Sequence, residues 1–305
     1  MKAATKEFLK MAGGWRRLDR ALHGYIYYVH YDGYVRVVLR LGRWLVKHFP
    51  RSRFVRTAYD YFFNRYHAKV LREEDARKFV MLHRDIHADP SIAEQIIPFK
   101  IANRIVLENP EYIAVTDCPC RLEKGPDYLE EHNDLPVNVC LAIGKTTVNF
   151  WLEKIPQRHT RRITSEEALQ IIADGHKKGW INTIWLKDAT GGRTGILCNC
   201  SKWSCGGIEA MKLAGLLKRT RPKSPNILIP SGYVARLDEE KCIGGGTCVE
   251  VCPFDACKLN PATKKAETVY DKCMGCGACV DFCKGEAREL VLDPNKGTPL
   301  DLDKL

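Results

Sequence analysis

Cys273-Met-Gly-Cys276-Gly-Ala-Cys279-Val-Asp-Phe-Cys283 decides the reading of the C-terminal part of this chain. The spacing is C-x2-C-x2-C-x3-C. A tight, glycine-bearing loop of this kind wraps three thiolates round one face of an iron–sulfide cubane, with its amides turned to the sulfides. The same frame stands upstream in Cys242-Ile-Gly-Gly245-Gly-Thr-Cys248-Val-Glu-Val-Cys252-Pro253, but Gly245 occupies the second ligand position. Chance agreement with so dense a pattern is rare.

From about Tyr233 to Leu292 the chain resembles the bacterial-type dicluster ferredoxins. The resemblance implies a pseudo-twofold ββ/α fold, crossed ligation of two clusters and one-electron transfer. Cys252, Cys273, Cys276 and Cys279 would hold a [4Fe–4S] cluster. Cys242, Cys248 and Cys283 would hold the other and leave it one thiolate short. Three thiolates suit a [3Fe–4S] cluster, or a [4Fe–4S] cluster with a different fourth ligand; loss of that cluster is the remaining alternative. Removing a thiolate removes a negative charge, which favours reduction. Cys257 is a spare thiol, expected to be buried and unligated, with ligation as its alternative. Lys284 replaces the usual second proline.

The other six cysteines form two similar sets. The β-rich stretch Tyr112–Thr116 runs into Cys118-Pro-Cys120, with Cys140 further on. Thr194–Leu197 runs into Cys198-Asn-Cys200, followed by Cys205. In an extended chain residues i and i+2 share a side, so each Cys-x-Cys aims two thiolates together. Iron–sulfur and zinc both accept four thiolates. A third iron–sulfur cluster is the expectation, with structural zinc or unligated thiols as alternatives. Cys140 lies in a mostly apolar run and is the weakest candidate. Arg121 either offsets cluster charge, holds an anionic substrate, or is a surface charge. The region resembles iron–sulfur proteins of anaerobic bacteria in which Cys-x-Cys-Arg … Cys-x-Cys precedes a dicluster ferredoxin domain, which implies a redox role. Ser201, Lys202, Trp203 and Ser204 stand where such proteins tend to carry more cysteines.

Working outward, the 305 residues include 14 cysteines. Their clustering in a chain without an evident secretory leader reads as metal binding, not disulfide bonding. The apolar runs are too short for a membrane span. Residues 1–80 hold 18 Lys/Arg and 7 Asp/Glu, a net of +11, whereas the rest is neutral. That segment reads as helices. In Tyr34–Phe49, Arg36, Arg40, Arg43 and Lys47 form one stripe, and Pro50 stops the helix. Its excess charge calls for an anionic partner: first a redox protein or larger oxidoreductase complex, then the inner face of a membrane, then nucleic acid, the least favoured, or plain solvation.

The expected chain is α+β in three parts. A basic aromatic helical segment spans 1–80, an α/β cysteine-bearing metal domain spans 81–234, and a dicluster ferredoxin domain spans 235–305. Thr164-Ser-Glu-Glu167 is a capping box that opens a helix through about Lys178. Arg219–Asn226 has the composition of a linker. His83 and His87 stand at i, i+4 on an expected helix, with no acidic third ligand evident. No haem, nucleotide or flavin motif is present. The expected function is cytoplasmic transfer of single electrons to or from an oxidoreductase. The alternative is an oxidoreductase whose incompletely ligated cluster binds substrate, fed by its own ferredoxin domain.

Overall fold

The computed structural model describes residues 2–63, 65–82, 84–96, 106–107, 111–187, 194–218 and 227–304. Four helices open the chain: α1 (Ala3–Met11), α2 (Leu18–Val29), α3 (Tyr31–His48) and α4 (Arg53–Phe63). α3 ends because Pro50 has no N–H to continue the ladder; the last bond runs from Phe49 N–H to Leu45 O at 2.8 Å. Then follow β1 (Tyr66–Leu71), α5 (Glu73–Val80), β2 (Ile86–His87), α6 (Pro90–Ile96), β3 (Val106–Leu107) and β4 (Ile113–Asp117). α7 (Pro119–Lys124), α8 (Pro126–Glu131), β5 (Asn138–Ile143), α9 (Lys145–Lys154), β6 (Arg161–Ile163) and α10 (Ser165–His176) come next. The Thr164 hydroxyl caps α10 by accepting from Glu167 N–H at 3.2 Å. β7 (Ile181–Lys187), β8 (Thr194–Cys200), α11 (Gly206–Lys218) and β9 (Leu228–Ile229) complete this part.

These strands form one sheet in the order β6-β4-β5-β8-β7-β1-β9, with β2 and β3 attached at β8. All neighbouring pairs along that order are antiparallel except β1–β9. The part is therefore α+β in character, not the α/β domain expected for 81–234. Strand alternation sorts the two faces. Ile113, Val115, Leu141, Ile143 and Leu197 pack with residues of α5 and α10. Ala114, Cys140, Ala142 and Ile196 pack with Phe8, Tyr28, Phe150 and Trp151.

The boundary expected at residue 80 does not hold. β1 pairs with β7 from Tyr66 to Leu71 and is buried along most of its length, next to last in the sheet. Phe8 of α1 stacks on Phe150 of α9 at 3.9 Å, so the N-terminal helices cover that sheet. β1 carries the buried polar residues His67 and Lys69, which hide its strand character. Lys69 Nζ donates to the carbonyls of Ile96 (3.3 Å) and Thr298 (2.7 Å). Its burial lowers the ammonium pKa to about 7. The expected helix around His83 and His87 is also absent at His87, which lies in β2; His83 and the linker 219–226 lie outside the described residues.

The C-terminal unit is an interleaved pair of β–α–β halves. β10 (Tyr233–Leu237), α12 (Thr247–Val251) and β11 (Cys257–Leu259) form the first; β12 (Ala266–Thr268), α13 (Ala278–Asp281) and β13 (Arg288–Leu292) form the second. β10 pairs with β13 and β11 with β12, both antiparallel. The unit docks on the sheet through Ser231 N–H to Met274 O (3.0 Å), Lys212 to Asp255 (3.3 Å) and His176 to Asp281 (3.1 Å).

Candidate metal centres

In the second half of the C-terminal motif, Gly275 is positive in φ, and a Cβ there would lie 2.3 Å from Tyr233 O. This tight loop turns Cys273, Cys276 and Cys279 into one cavity, which Cys252 from the other half also lines. Cys242, Cys248 and Cys283 line a second cavity together with Gly245. The structure thus brings together both sets that the resemblance implied.

The amides repeat across the pseudo-twofold. Ala235 N–H donates to Cys273 Sγ (3.5 Å) and Ala266 N–H to Cys242 Sγ (3.4 Å). Ala256 N–H donates to Cys252 Sγ and Ala287 N–H to Cys283 Sγ, both at 3.3 Å. Such bonds favour thiolates, the form that binds iron. Four thiols at one cavity and three at the other, two of each set with these amide bonds, fit a complete and an incomplete iron–sulfur centre. Gly245 is not required by the backbone. Its φ is ordinary, and a Cβ there would meet only the Ile243 side chain, at 3.8 Å. Gly244 beside it does need to be glycine, since φ is +71° and Lys264 O would lie 2.6 Å from a Cβ.

Two further side chains stand between the cavities. Cys257 follows Cys252 by the same interval as Arg288 follows Cys283. The Cys257 thiol stands within bonding reach of Cys248, Cys252 and Cys279, to any one of which it can donate its single proton, and these neighbours push its pKa well up. Accepting from it brings Cys248 or Cys252 down to about 6. Cys257 lines the complete cavity and not the one at Gly245. Arg288 lines the Gly245 cavity and is only 5% exposed. Its Nη1 donates to Thr268 Oγ1 at 2.9 Å, and the guanidinium stands beside Cys248. Its Nε and Nη2 have no oxygen or nitrogen partner among the described residues. A lone arginine carries no spacing signal, so sequence reasoning missed it.

All six middle cysteines line one cavity of about 120 Å³. Cys198 and Cys200 share a face of β8, and Cys140 reaches the cavity from β5. Cys205 immediately precedes α11, and its Sγ lies 3.1 Å from Cys200 Sγ. Cys118 and Cys120 converge differently from the extended geometry expected of them. Cys118 caps α7, Pro119 starts that helix, and Cys120 lies in its first turn. A bond from Cys120 brings the Cys118 thiol down to about 7 and pushes Cys120 up. The amide of Gly206, at the start of α11, also points at Cys120. Cys140, the weakest candidate from sequence, is 2% exposed and belongs to the same cavity.

Arg121 is no surface charge: it is 1% exposed and faces the thiols. Its guanidinium lies 3.9 Å over the Trp180 ring, and Nη2 donates to Asp134 Oδ1 at 3.3 Å. Nε and Nη1 have no partner among the described residues. An orphaned buried guanidinium beside thiols fits an anionic group held there. The roof of the cavity is α3, through Tyr31, Tyr34, Val35, Val38 and Leu39. At its far wall Tyr34 Oη lies 3.0 Å from Tyr66 Oη, and His23 Nε2 bonds both hydroxyls at 3.1 and 3.0 Å.

Cys200 and Cys205 belong to the same contiguous buried cluster as Cys242, Cys248, Cys252, Cys257, Cys273 and Cys279. Ala68, Val70, Ile181, Ile208 and Leu228 belong to that cluster too. Residues 235–284 match the family model of the 4Fe-4S dicluster domain, so this region is an iron–sulfur module of the electron-transfer type. No curated protein and no solved structure matches the chain.

Proposed function

We propose that this chain is an iron–sulfur electron-transfer protein that exchanges single electrons with an oxidoreductase partner. The observation that carries this reading is the contiguous buried cluster that contains Cys200 and Cys205 of the middle cavity together with the cysteines of the dicluster domain. Cys252, Cys273, Cys276 and Cys279 hold one [4Fe–4S] cluster. Cys242, Cys248 and Cys283 hold a [3Fe–4S] or second [4Fe–4S] cluster. The middle cysteines, with Cys118, Cys120, Cys198 and Cys200 first among them, hold a third. Bound in these places, such clusters supply one-electron oxidation and reduction with little rearrangement. The chain supplies thiolates, the amides that favour them, two buried guanidinium charges and an apolar surround that excludes water.

One observation favours a second reading, in which the protein is itself an oxidoreductase. The cavity at Gly245 combines a missing thiolate with the buried Arg288, whose Nε and Nη2 have no oxygen or nitrogen partner among the described residues, a setting suited to a small anionic ligand. Metal analysis and EPR on anaerobically purified protein, wild type and Gly245→Cys, test the proposal. The expected content is about 11 or 12 irons per chain and no zinc. About 7 or 8 irons with one zinc would remove the middle cluster. Gly245→Cys is expected to convert a [3Fe–4S] signal into a [4Fe–4S] one; an unchanged spectrum means that the wild-type site already holds four irons.

A further inference from the structure

The N-terminal helices carry a surface that the fold does not use. Of the nineteen exposed large hydrophobic residues among the described residues, ten fall between Trp15 and Tyr61. They are not scattered. Leu18, Leu22 and Ile26 recur one turn apart along α2. Val37, Leu41 and Trp44 do the same on α3, whose buried face is formed instead by Tyr31, Leu39 and Val46. Trp15 is 92% and Phe54 76% exposed. A helix apolar on both its inner and outer faces has only its inner face explained by packing on the protein.

Cations border this apolar surface. Arg36 and Lys47 are exposed beside the α3 stripe, and Arg40 between them is paired with Glu123 at 3.2 Å. Arg16 follows Trp15, Arg17 after it is paired with Asp19, and Arg51 and Arg53 precede Phe54. Part of the basic stripe is taken up internally: Arg43 pairs with Glu123 (2.5 Å) and Glu209 (2.8 Å), fixing α3 on α7 and α11. The remaining pattern is an apolar band with indoles, edged by long cationic side chains whose stems can lie along it. That is the chemistry of a helix lying in an anionic lipid interface. No described helix is long and apolar enough to cross a membrane.

We propose that α2, α3 and the start of α4 seat the protein on an anionic phospholipid surface, with α3 lying in the interface. This goes beyond electron transfer and does not depend on it. It has a geometric consequence, because the inner face of α3 roofs the middle cysteine cavity. The cavity then lies about one helix diameter, ~10 Å, beneath the lipid surface.

The test uses full-length protein and phosphatidylcholine vesicles with and without phosphatidylglycerol, at low and high salt. Expected are co-sedimentation with the anionic vesicles at low salt and a blue shift of tryptophan emission that brominated lipid quenches. Each neutralised cation, as in Arg36→Gln, is expected to weaken partitioning about fivefold. Leu41→Glu is expected to abolish it without lowering the melting temperature or iron content. No binding to anionic vesicles at low salt overturns the proposal, as does a Leu41→Glu protein that binds like the wild type. A self-associated species that excludes vesicles and that Leu41→Glu dissolves would assign the face to a second copy instead, and also overturns it.

Discussion

Arg121 and Arg288 pose the same problem at two sites. Burying a guanidinium costs several kcal/mol unless an anion faces it. Arg121 has Asp134 for one N–H; Arg288 has the Thr268 hydroxyl and the Cys248 sulfur. The other N–H groups face cysteine-lined cavities. A positive charge fixed there stabilises the more negative, reduced form of whatever the thiolates hold. A hydrogen bond to a charged group is worth about 1.5–3 kcal/mol, so Arg288→Gln is expected to lower the potential of the Gly245-site cluster by roughly 65–130 mV. Arg288→Lys should lower it less, and the complete site should move less than the incomplete one. An EPR-monitored redox titration reads this; equal shifts at both sites, or none, would sink it. The cysteines were legible because ligation of a small cluster forces them into close spacing. The arginines were not, because one charge acting across space leaves no period.

At the scale of elements, α11 shows why local propensity misleads. It opens on Gly206-Gly207, a poor start by propensity. Both glycines are there for close packing. A Cβ on Gly206 would lie 3.0 Å from Leu39 and 3.1 Å from Cys120 Sγ, and one on Gly207 would lie 2.7 Å from the Trp185 ring. Gly207→Ala gains about 0.5–1 kcal/mol of helix propensity, whereas overpacking against a buried ring costs about 1–3 kcal/mol. The net expectation is destabilisation, with loss of metal from the middle cavity. Gly215→Ala, with nothing within 4 Å, keeps only the gain and should stabilise by about 0.5–1 kcal/mol. Urea unfolding of the pair tests the ordering; a more stable Gly207→Ala protein would refute the packing account. The helix and the strands β7 and β8 were readable from their apolar patterns. β1 was not, because His67 and Lys69 interrupt it and distant carbonyls satisfy Lys69. Strand geometry alone gives no sign that Pro119 turns the chain into a helix between Cys118 and Cys120.

For the whole molecule, the question is what holds the dicluster unit against the sheet. His176 at the end of α10 bridges Asp281 of the unit at 3.1 Å and Glu73 of α5 at 3.3 Å. The bond to Asp281 is the main cause holding this imidazole above its ordinary 6.5, against partial desolvation. A folded-state pKa above the unfolded one means that the folded protein binds the proton more tightly. The contribution is therefore complete below pH 6.5 and is lost as pH rises through the raised value. Because Asp281 is partly exposed, it amounts to about 0.5–1 kcal/mol at most. Buried Lys69 makes stability rise with pH over this range, so the wild-type urea midpoint is expected to rise less steeply between about pH 6 and pH 8.5 than that of His176→Asn, a flattening due to loss of the His176 proton. An identical slope in both proteins would mean that the bridge does not hold the units together. The pairing could not be read from sequence, since His176 and Asp281 meet only once the unit has docked. If the flattening is seen together with a change in the EPR interaction between centres, the same contact also fixes the spacing of the middle cavity and the dicluster site.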